Sequence, residues 1–217
     1  MSTLPSLYRL CRLICLIAVV VPTASAQVLY SNGPVNGETD AFTINFGFAV
    51  SDTFTLSQSS QVTGLSFNTW IFPGDVLDSV GISITSQEDG GTVYFNQQVN
   101  TTQGTCFDNS LGFTVCQETA SFNAGNLAGG TYWLNLQNAV VNTGDPAFWD
   151  ENSGVGCNSP GCPSLASDST IGTIPSESFT VLGTTSGTSS VPEPGSLALV
   201  ASGVLGLGGI LRRKALL

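Results

Sequence analysis

The chain has 217 residues, a formal net charge of −10 and no histidine. Its five basic residues stand at the two ends, Arg9 and Arg12 at the front and Arg212, Arg213 and Lys214 at the back. The long segment between them has no positive charge to neutralise phosphates, which excludes nucleic-acid binding. It also lacks the residues of a Ser-His-Asp triad, a Cys-His pair or a Schiff-base lysine.

Acidic residues alone could still carry out one common reaction, glycoside hydrolysis by two carboxylates. All but one of the 15 acidic residues lie between residues 27 and 183. No pair stands out, because Asp150 and Glu151 are adjacent and would point to opposite faces of a strand. The composition favours a protein that is not an enzyme, with an acid-only glycosidase as the alternative. Because the segment at residues 27–183 has acidic but no basic residues, it repels anionic polysaccharide and anionic lipid unless a cation bridges them.

The first predicted element is a signal peptide over residues 1–26. Arg9 and Arg12 precede the apolar run LICLIAVVV, and PTASA then ends in an A-x-A pattern before Gln27. A basic segment, a short apolar segment and small residues are typical of a secretory signal. We therefore expect an exported protein whose mature chain begins near Gln27.

Residues 27–183 are predicted to form one all-β domain. Alternating apolar residues indicate strands, and no segment shows the 3.6-residue period of a helix. In chain order the alternating sets are Phe42, Ile44, Phe46 and Phe48; Val80, Ile82 and Ile84; Val93, Phe95 and Val99; Tyr132, Leu134, Leu136 and Val140; and Phe179 and Val181. Turn signals such as Asn36-Gly37 and Gly129-Gly130 separate these runs. Many short strands in one domain predict a β-sandwich, either jelly-roll-like or immunoglobulin-like.

Four cysteines lie in this domain. Cys106 and Cys116 bracket FDNSLGFTV, and Cys157 and Cys162 bracket NSPG. An even number of cysteines in an exported domain predicts disulfides. Pairing between neighbours would join Cys106 to Cys116 and Cys157 to Cys162, and free buried thiols are the alternative.

The stretch NTGDPAFWDENSGVGC carries the richest chemistry, because it gathers Asp145, Trp149, Asp150, Glu151 and Asn152. Oxygen ligands on a loop suit Ca²⁺, and a tryptophan beside acids and amides suits a sugar-binding surface. These five residues form a candidate calcium or glycan site, and no other cofactor is expected. We favour the alternative of a solvated acidic loop with Trp149 packed in the core, since a lone tryptophan usually packs.

The C-terminal segment follows a small-polar linker, TTSGTSS, at residues 184–190. It consists of Val191, Pro192, Glu193 and Pro194, an uncharged stretch over residues 195–211, and the basic cluster Arg212, Arg213 and Lys214. As a helix the uncharged stretch would be about 26 Å long, close to the roughly 30 Å hydrocarbon core of a bilayer. We predict a single membrane helix whose basic end stays in the cytoplasm.

The order of these three parts resembles the PEP-CTERM sorting signal, a tag also called the ice-binding protein C-terminal domain. The resemblance covers residues 191–217 and implies a bacterium with an outer membrane and an exopolysaccharide locus. It implies recognition by an exosortase at or near Pro192-Glu193-Pro194. The protein would be anchored transiently in the inner membrane and then reach the cell surface or the extracellular matrix.

The body shows a second resemblance. VSDTFTL, FPGD and YWLNLQNAVVNTGDPAFWDENSG are similar to stretches of secreted, PEP-CTERM-tagged β-rich proteins with no settled activity, and they supply no catalytic residue. We therefore expect a surface or matrix protein whose sandwich is a binding or structural module, with extracellular polysaccharide as a candidate partner. The alternatives are a structural or interaction protein without a small-molecule ligand and the acid-only glycosidase.

Overall fold

A computed structural model of the chain describes residues 26–88, 90–152, 159 and 162–186. These residues form twelve strands: β1 Gln27–Ser31, β2 Ala41–Thr43, β3 Ala49–Leu56, β4 Ser60–Ile71, β5 Leu77–Gln87, β6 Gly90–Asp108, β7 Thr114–Leu127, β8 Gly130–Val141, β9 Phe148–Asp150, β10 Ala166–Asp168, β11 Gly172–Ile174 and β12 Phe179–Thr185. The described part of the chain has no helix, so the all-β prediction is confirmed there. None of it has the length and hydropathy of a membrane-spanning helix.

The strands form one curled antiparallel sheet. Their order is β1-β12-β4-β7-β6-β5-β8-β3-β10-β11, with β9 paired to β4 and β2 paired to β9. The long strand β6 makes the curl, because residues 90–100 pair with β5 whereas residues 101–108 pair with β7. The two halves of the sheet therefore face each other across a common core. The type of sandwich, jelly-roll-like or immunoglobulin-like, stays a prediction.

Aromatic side chains join the two halves inside the curl. Tyr30 of β1 lies 6.2 Å from Phe54 of β3 and 5.6 Å from Phe179 of β12 between ring centroids. Trp149 of β9 packs edge-on against Phe179 at 5.5 Å and is fully buried. Each buried aromatic removes about 150–250 Å² from water, so this group contributes much of the stabilisation between the halves.

The predicted alternating sets of β5 and β12 lie wholly in the core, and that of β8 does so apart from its last residue. Buried members are Val80, Ile82 and Ile84 of β5, Tyr132, Leu134 and Leu136 of β8, and Phe179 and Val181 of β12. Two further members are exposed at register irregularities, Val93 in β6 and Val140 in β8. In β8 the cause is Asn138, whose φ of 50° breaks the alternation so that Ala139 points inward in place of Val140.

The predicted strand AFTINFGF is wrong beyond its first residues. Strand β2 ends at Thr43, and the Phe48 N–H donates to the Asn45 carbonyl at 3.0 Å in a tight turn. Both central residues, Phe46 and Gly47, have positive φ values of 56° and 90°. This backbone is typical of a type I′ turn, which places Phe46 in solvent with 64% of its surface exposed.

The predicted terminal segments lie outside the described residues. These are residues 1–25 of the signal peptide and the whole of the C-terminal tag at residues 191–217. Strand β12 continues to Thr185, into the first residues of the predicted linker.

Candidate functional site

A groove lies on the outer face of the sheet, over β12, β4, β7 and the second half of β6. In β4 the buried residues Leu65 and Phe67 alternate with Ser66 and Asn68, which point away from the core. The register continues this polar surface across the strands, because Thr180 of β12 pairs with Ser66. Strands β12 and β4 and the β6–β7 hairpin, which are separated in sequence, therefore present one polar surface.

The groove has a volume of about 600 Å³. The polar side chains that line it are Ser31, Ser66, Asn68, Thr105, Gln117 and Thr180. Pro34 and Val35 form part of its wall, and Phe107 contributes an aromatic ring that is 43% exposed. No charged residue is among the described residues that line it. The groove thus combines hydroxyls and amides with one apolar face.

Close packing against Gly37 fixes the position of the Phe107 ring. A Cβ at residue 37 would lie 2.7 Å from Cζ of Phe107, so any side chain there would displace the ring. Gly37 also has a φ of 75°, which favours glycine. The segment that forms the groove wall therefore holds the aromatic residue in place.

Asp150 anchors this wall from inside the protein. Its buried carboxylate accepts hydrogen bonds from the main-chain N–H groups of Asn36 and Gly37, both at 2.9 Å, from Trp70 Nε1 at 2.5 Å and from Ser178 Oγ at 3.2 Å. Burial raises the pKa of Asp150, and these four donors act in the opposite direction because they stabilise the charged form. Asp150 is thus a structural anchor, with its oxygens already engaged.

A second buried carboxylate, Asp52 of β3, lies in a similar network. It accepts hydrogen bonds from Asn32 Nδ2 at 3.1 Å and from the Glu177 N–H at 2.7 Å. The Thr53 N–H and the hydroxyls of Ser164 and Ser176 complete its donor set. Burial nevertheless raises the pKa of Asp52 to about 7.

Two neighbouring glutamates lack such donors. Both carboxylate oxygens of Glu177 are buried without a hydrogen-bond partner, and so is Oε2 of Glu151. The pKa of Glu177 is raised well above its usual value, first by burial and then by the charges of Asp52, Asp150, Glu151 and Asp40. Burial, Asp40 and Asp150 also raise the pKa of Glu151. In the part of the chain that the structure describes, no three His, Cys, Asp or Glu side chains form a ready metal site.

The structure separates the five residues of the candidate calcium or glycan site. Asp145 is exposed in the segment between β8 and β9, where its main-chain carbonyl accepts a hydrogen bond from Asn45 Nδ2 at 3.0 Å. Trp149, Asp150 and Asn152 are buried. Trp149 Nε1 donates to the Ser178 carbonyl at 3.0 Å, so its ring is not available at the surface. The Asn152 amide donates to the Asn32 carbonyl at 2.7 Å. Glu151 alone keeps an unpartnered buried oxygen.

Sequence reasoning missed the groove residues and the buried acids Asp52, Glu118 and Glu177. The signal for the groove was present in LSFN at residues 65–68, where apolar and polar residues alternate. Predicting β4 would have placed Ser66 and Asn68 on its outer face. No local pattern marks the buried acids, since their burial depends on strands that are distant in sequence.

One predicted disulfide is confirmed, and the other is described in part. Cys106 and Cys116 are joined across β6 and β7. Cys162 is also disulfide-bonded, while Cys157 lies outside the described residues. The pairing of Cys157 with Cys162 therefore stays a prediction.

Comparison with known proteins identifies the C-terminal segment. Residues 190–214 match the model of the PEP-CTERM protein-sorting motif. No curated protein matches the chain. The match includes the Pro-Glu-Pro motif, the apolar stretch and the basic cluster that the sequence analysis singled out. The chain therefore carries a PEP-CTERM protein-sorting motif at residues 190–214, in agreement with an exported, surface-targeted exosortase substrate.

Proposed function

We propose that this protein is delivered to the cell surface or matrix by an exosortase and that its β-domain binds a neutral glycan in the outer groove. The sorting motif supports the first part. Before processing, the apolar stretch at residues 195–211 would hold the chain in the inner membrane. Cleavage at or near Pro192-Glu193-Pro194 would then release the domain.

The uncharged lining of the groove carries the second part of the proposal. A sugar ring offers hydroxyls around its edge and apolar C–H groups on its face, which match amides and hydroxyls beside an aromatic ring. Asn68 and Gln117 are direct neighbours across β4 and β7, and Phe107 lies at the same groove. The acidic body repels anionic chains, so a neutral polysaccharide is the expected ligand.

Binding of the mature exported protein to an array of neutral and anionic glycans tests this proposal. We expect Asn68→Ala and Phe107→Ala each to weaken binding about tenfold, which corresponds to about 1.4 kcal/mol. Tyr94→Ala is the matched control, because Tyr94 is an aromatic residue with similar exposure, 41%, on the part of β6 that pairs with β5.

Absence of binding to every neutral glycan, or equal loss in the control, would contradict glycan binding in this groove. The alternative of a structural or interaction protein without a small-molecule ligand would then take its place. We also propose that the protein is not an enzyme, because no carboxylate is found among the described residues of the groove. Release of reducing sugar from a bound glycan would overturn that and favour the acid-only glycosidase.

A further inference from the structure

The buried carboxylates fall into two classes. Asp52 and Asp150 are surrounded by N–H and O–H donors, which is how proteins stabilise a buried negative charge. Glu177 is equally buried, with 0% of its surface exposed, yet neither of its oxygens has a partner. A buried polar group without a partner is costly, so this carboxylate requires a neutralising group.

The backbone places Glu177 directly opposite Glu151. The two residues form an antiparallel bridge. It is flanked by hydrogen bonds from the Asn152 N–H to the Ser176 carbonyl and from the Ser178 N–H to the Asp150 carbonyl, both 2.8 Å. Glu151 and Glu177 are thus a non-hydrogen-bonded pair, the closer of the two antiparallel arrangements, with Cβ atoms about 4.5–5.5 Å apart on the same side. Like charges directly opposite each other destabilise a sheet.

Among the residues that the structure describes, no side chain of the opposite charge is available to relieve this repulsion. The sequence has no Lys, Arg or His between Arg12 and Arg212. Asp40 adds a further negative charge nearby, because the Glu151 N–H donates to its carbonyl at 3.2 Å. The pair must therefore be neutralised either by a proton or by a cation from solution.

We propose that Glu151 and Glu177 together bind one divalent cation, with Ca²⁺ as the preferred ion. Calcium takes six to eight oxygen ligands at about 2.3–2.6 Å and tolerates irregular geometry. The two carboxylates would supply up to four oxygens, which leaves the other positions of the shell to main-chain carbonyls and water. Glu151 is only partly buried, so it is the member of the pair that solvent reaches.

Cation binding would also stabilise the groove wall. Asn152 follows Glu151 and pairs with Val35, which lines the groove. The proposed cation site is nevertheless argued from the contacts of Glu151 and Glu177 and does not depend on the proposed glycan. Glycan binding, measured separately in calcium and in chelator, distinguishes a failure of one proposal from a failure of the other.

The test is calorimetric titration of the chelator-treated mature protein with CaCl₂ at pH 8, together with melting curves at matched ionic strength. We expect one site with a dissociation constant of about 10⁻⁴–10⁻³ M, the range of extracellular calcium modules. Saturating Ca²⁺ should raise the melting temperature by several degrees, and Mg²⁺ should do less. At pH 5 the calcium-dependent shift should shrink, because protons compete with Ca²⁺ for the carboxylates of Glu151 and Glu177. The nearby negative charges of Asp40, Asp52 and Asp150 favour protonation of this pair.

Three variants make the result specific. Glu177→Gln and Glu151→Gln should each abolish the calcium-dependent shift, and Glu151→Gln is informative even if the buried variant fails to fold. Glu118→Gln should retain the shift, because Glu118 is also buried and unpartnered but lies outside this pair. A wild-type protein that melts identically in calcium and in chelator, or a Glu151→Gln variant with an undiminished shift, would overturn the proposal.

Discussion

At the scale of single residues, the unusual feature is the number of carboxylates buried without a basic partner. Glu118 is the simplest case, because its pKa is raised to about 8 by burial alone. It lies in β7, opposite Phe67 of β4 and Gln103 of β6, and both of its oxygens are unpartnered. We therefore expect Glu118 to be protonated in the folded protein at neutral pH.

Glu118 should make the folded state less stable as the pH rises. An unfolded glutamate loses its proton near pH 4.3, whereas the folded side chain keeps it to about pH 8. Between these values the folded state binds more protons, so the free energy of unfolding should fall by up to about 1.4 kcal/mol per pH unit. Denaturant titrations from pH 4 to 9 should show this decline. The Glu118→Gln variant should lack the part of the decline that is due to Glu118. An unchanged pH dependence in that variant would contradict the assignment.

Neutralising Asp150 should destabilise the folded state, because hydrogen-bond donors surround its carboxylate. Asp150→Asn places an NH₂ group among N–H donors, so we expect the free energy of unfolding to fall by about 1–3 kcal/mol. The matched control is Asp145→Asn, an exposed position where a change within about 0.5 kcal/mol is expected. Urea denaturation measures both, and equal effects would show that the hydrogen bonds of Asp150 contribute little.

At the scale of strands, the alternation of apolar and polar residues was sufficient to predict a strand and its buried side chains where the backbone was also regular. β5 and β12 were predicted on this basis, and their inward residues are buried. The prediction failed at Phe46-Gly47, where the alternation AFTINFGF is real but glycine marks a turn. Strands β4 and β7 were not predicted, because their inward faces include the polar residues Thr69 and Glu118. Only the packed strands around them explain why those residues are inside.

The disulfide between β6 and β7 should stabilise the fold measurably. Cys106 and Cys116 close a short loop with a sequence separation of 10. Loop-closure entropy predicts that replacing both with serine lowers the free energy of unfolding by about 2–3 kcal/mol. Urea denaturation of the double variant checks this, with a thiol assay showing that the parent has no free thiol at these positions. Coincident denaturation curves would contradict the stabilising role.

At the scale of the whole molecule, the basic residues and all but one of the acidic residues are found in different parts of the chain. The basic residues lie only in the two predicted targeting segments, and the domain between them is acidic. The sorting motif was predicted because its parts are contiguous in sequence. The groove was not predicted, because four strands and the segment at residues 31–35 meet there only after folding.

The basic cluster at the C-terminal end should be required for the protein to be retained in the inner membrane until it is processed. Replacing Arg212, Arg213 and Lys214 with glutamine removes the charges that, in the predicted topology, would keep the C-terminal end in the cytoplasm. We expect unprocessed protein to accumulate and the surface form to be lost, as measured by fractionation and immunoblotting. Replacing Asp145 with asparagine, a neutralisation in the domain, should leave sorting unchanged. Normal surface delivery of the triple variant would contradict the predicted topology.

Intact-mass analysis of the protein recovered from the cell surface or matrix tests sorting by an exosortase most directly. The expected chain begins near Gln27 and ends at or near Pro192-Glu193-Pro194, because the signal peptide and the sorting tag have both been removed. Recovery of surface protein that still ends at Leu217 would contradict processing by an exosortase and leave an ordinary C-terminal anchor in its place.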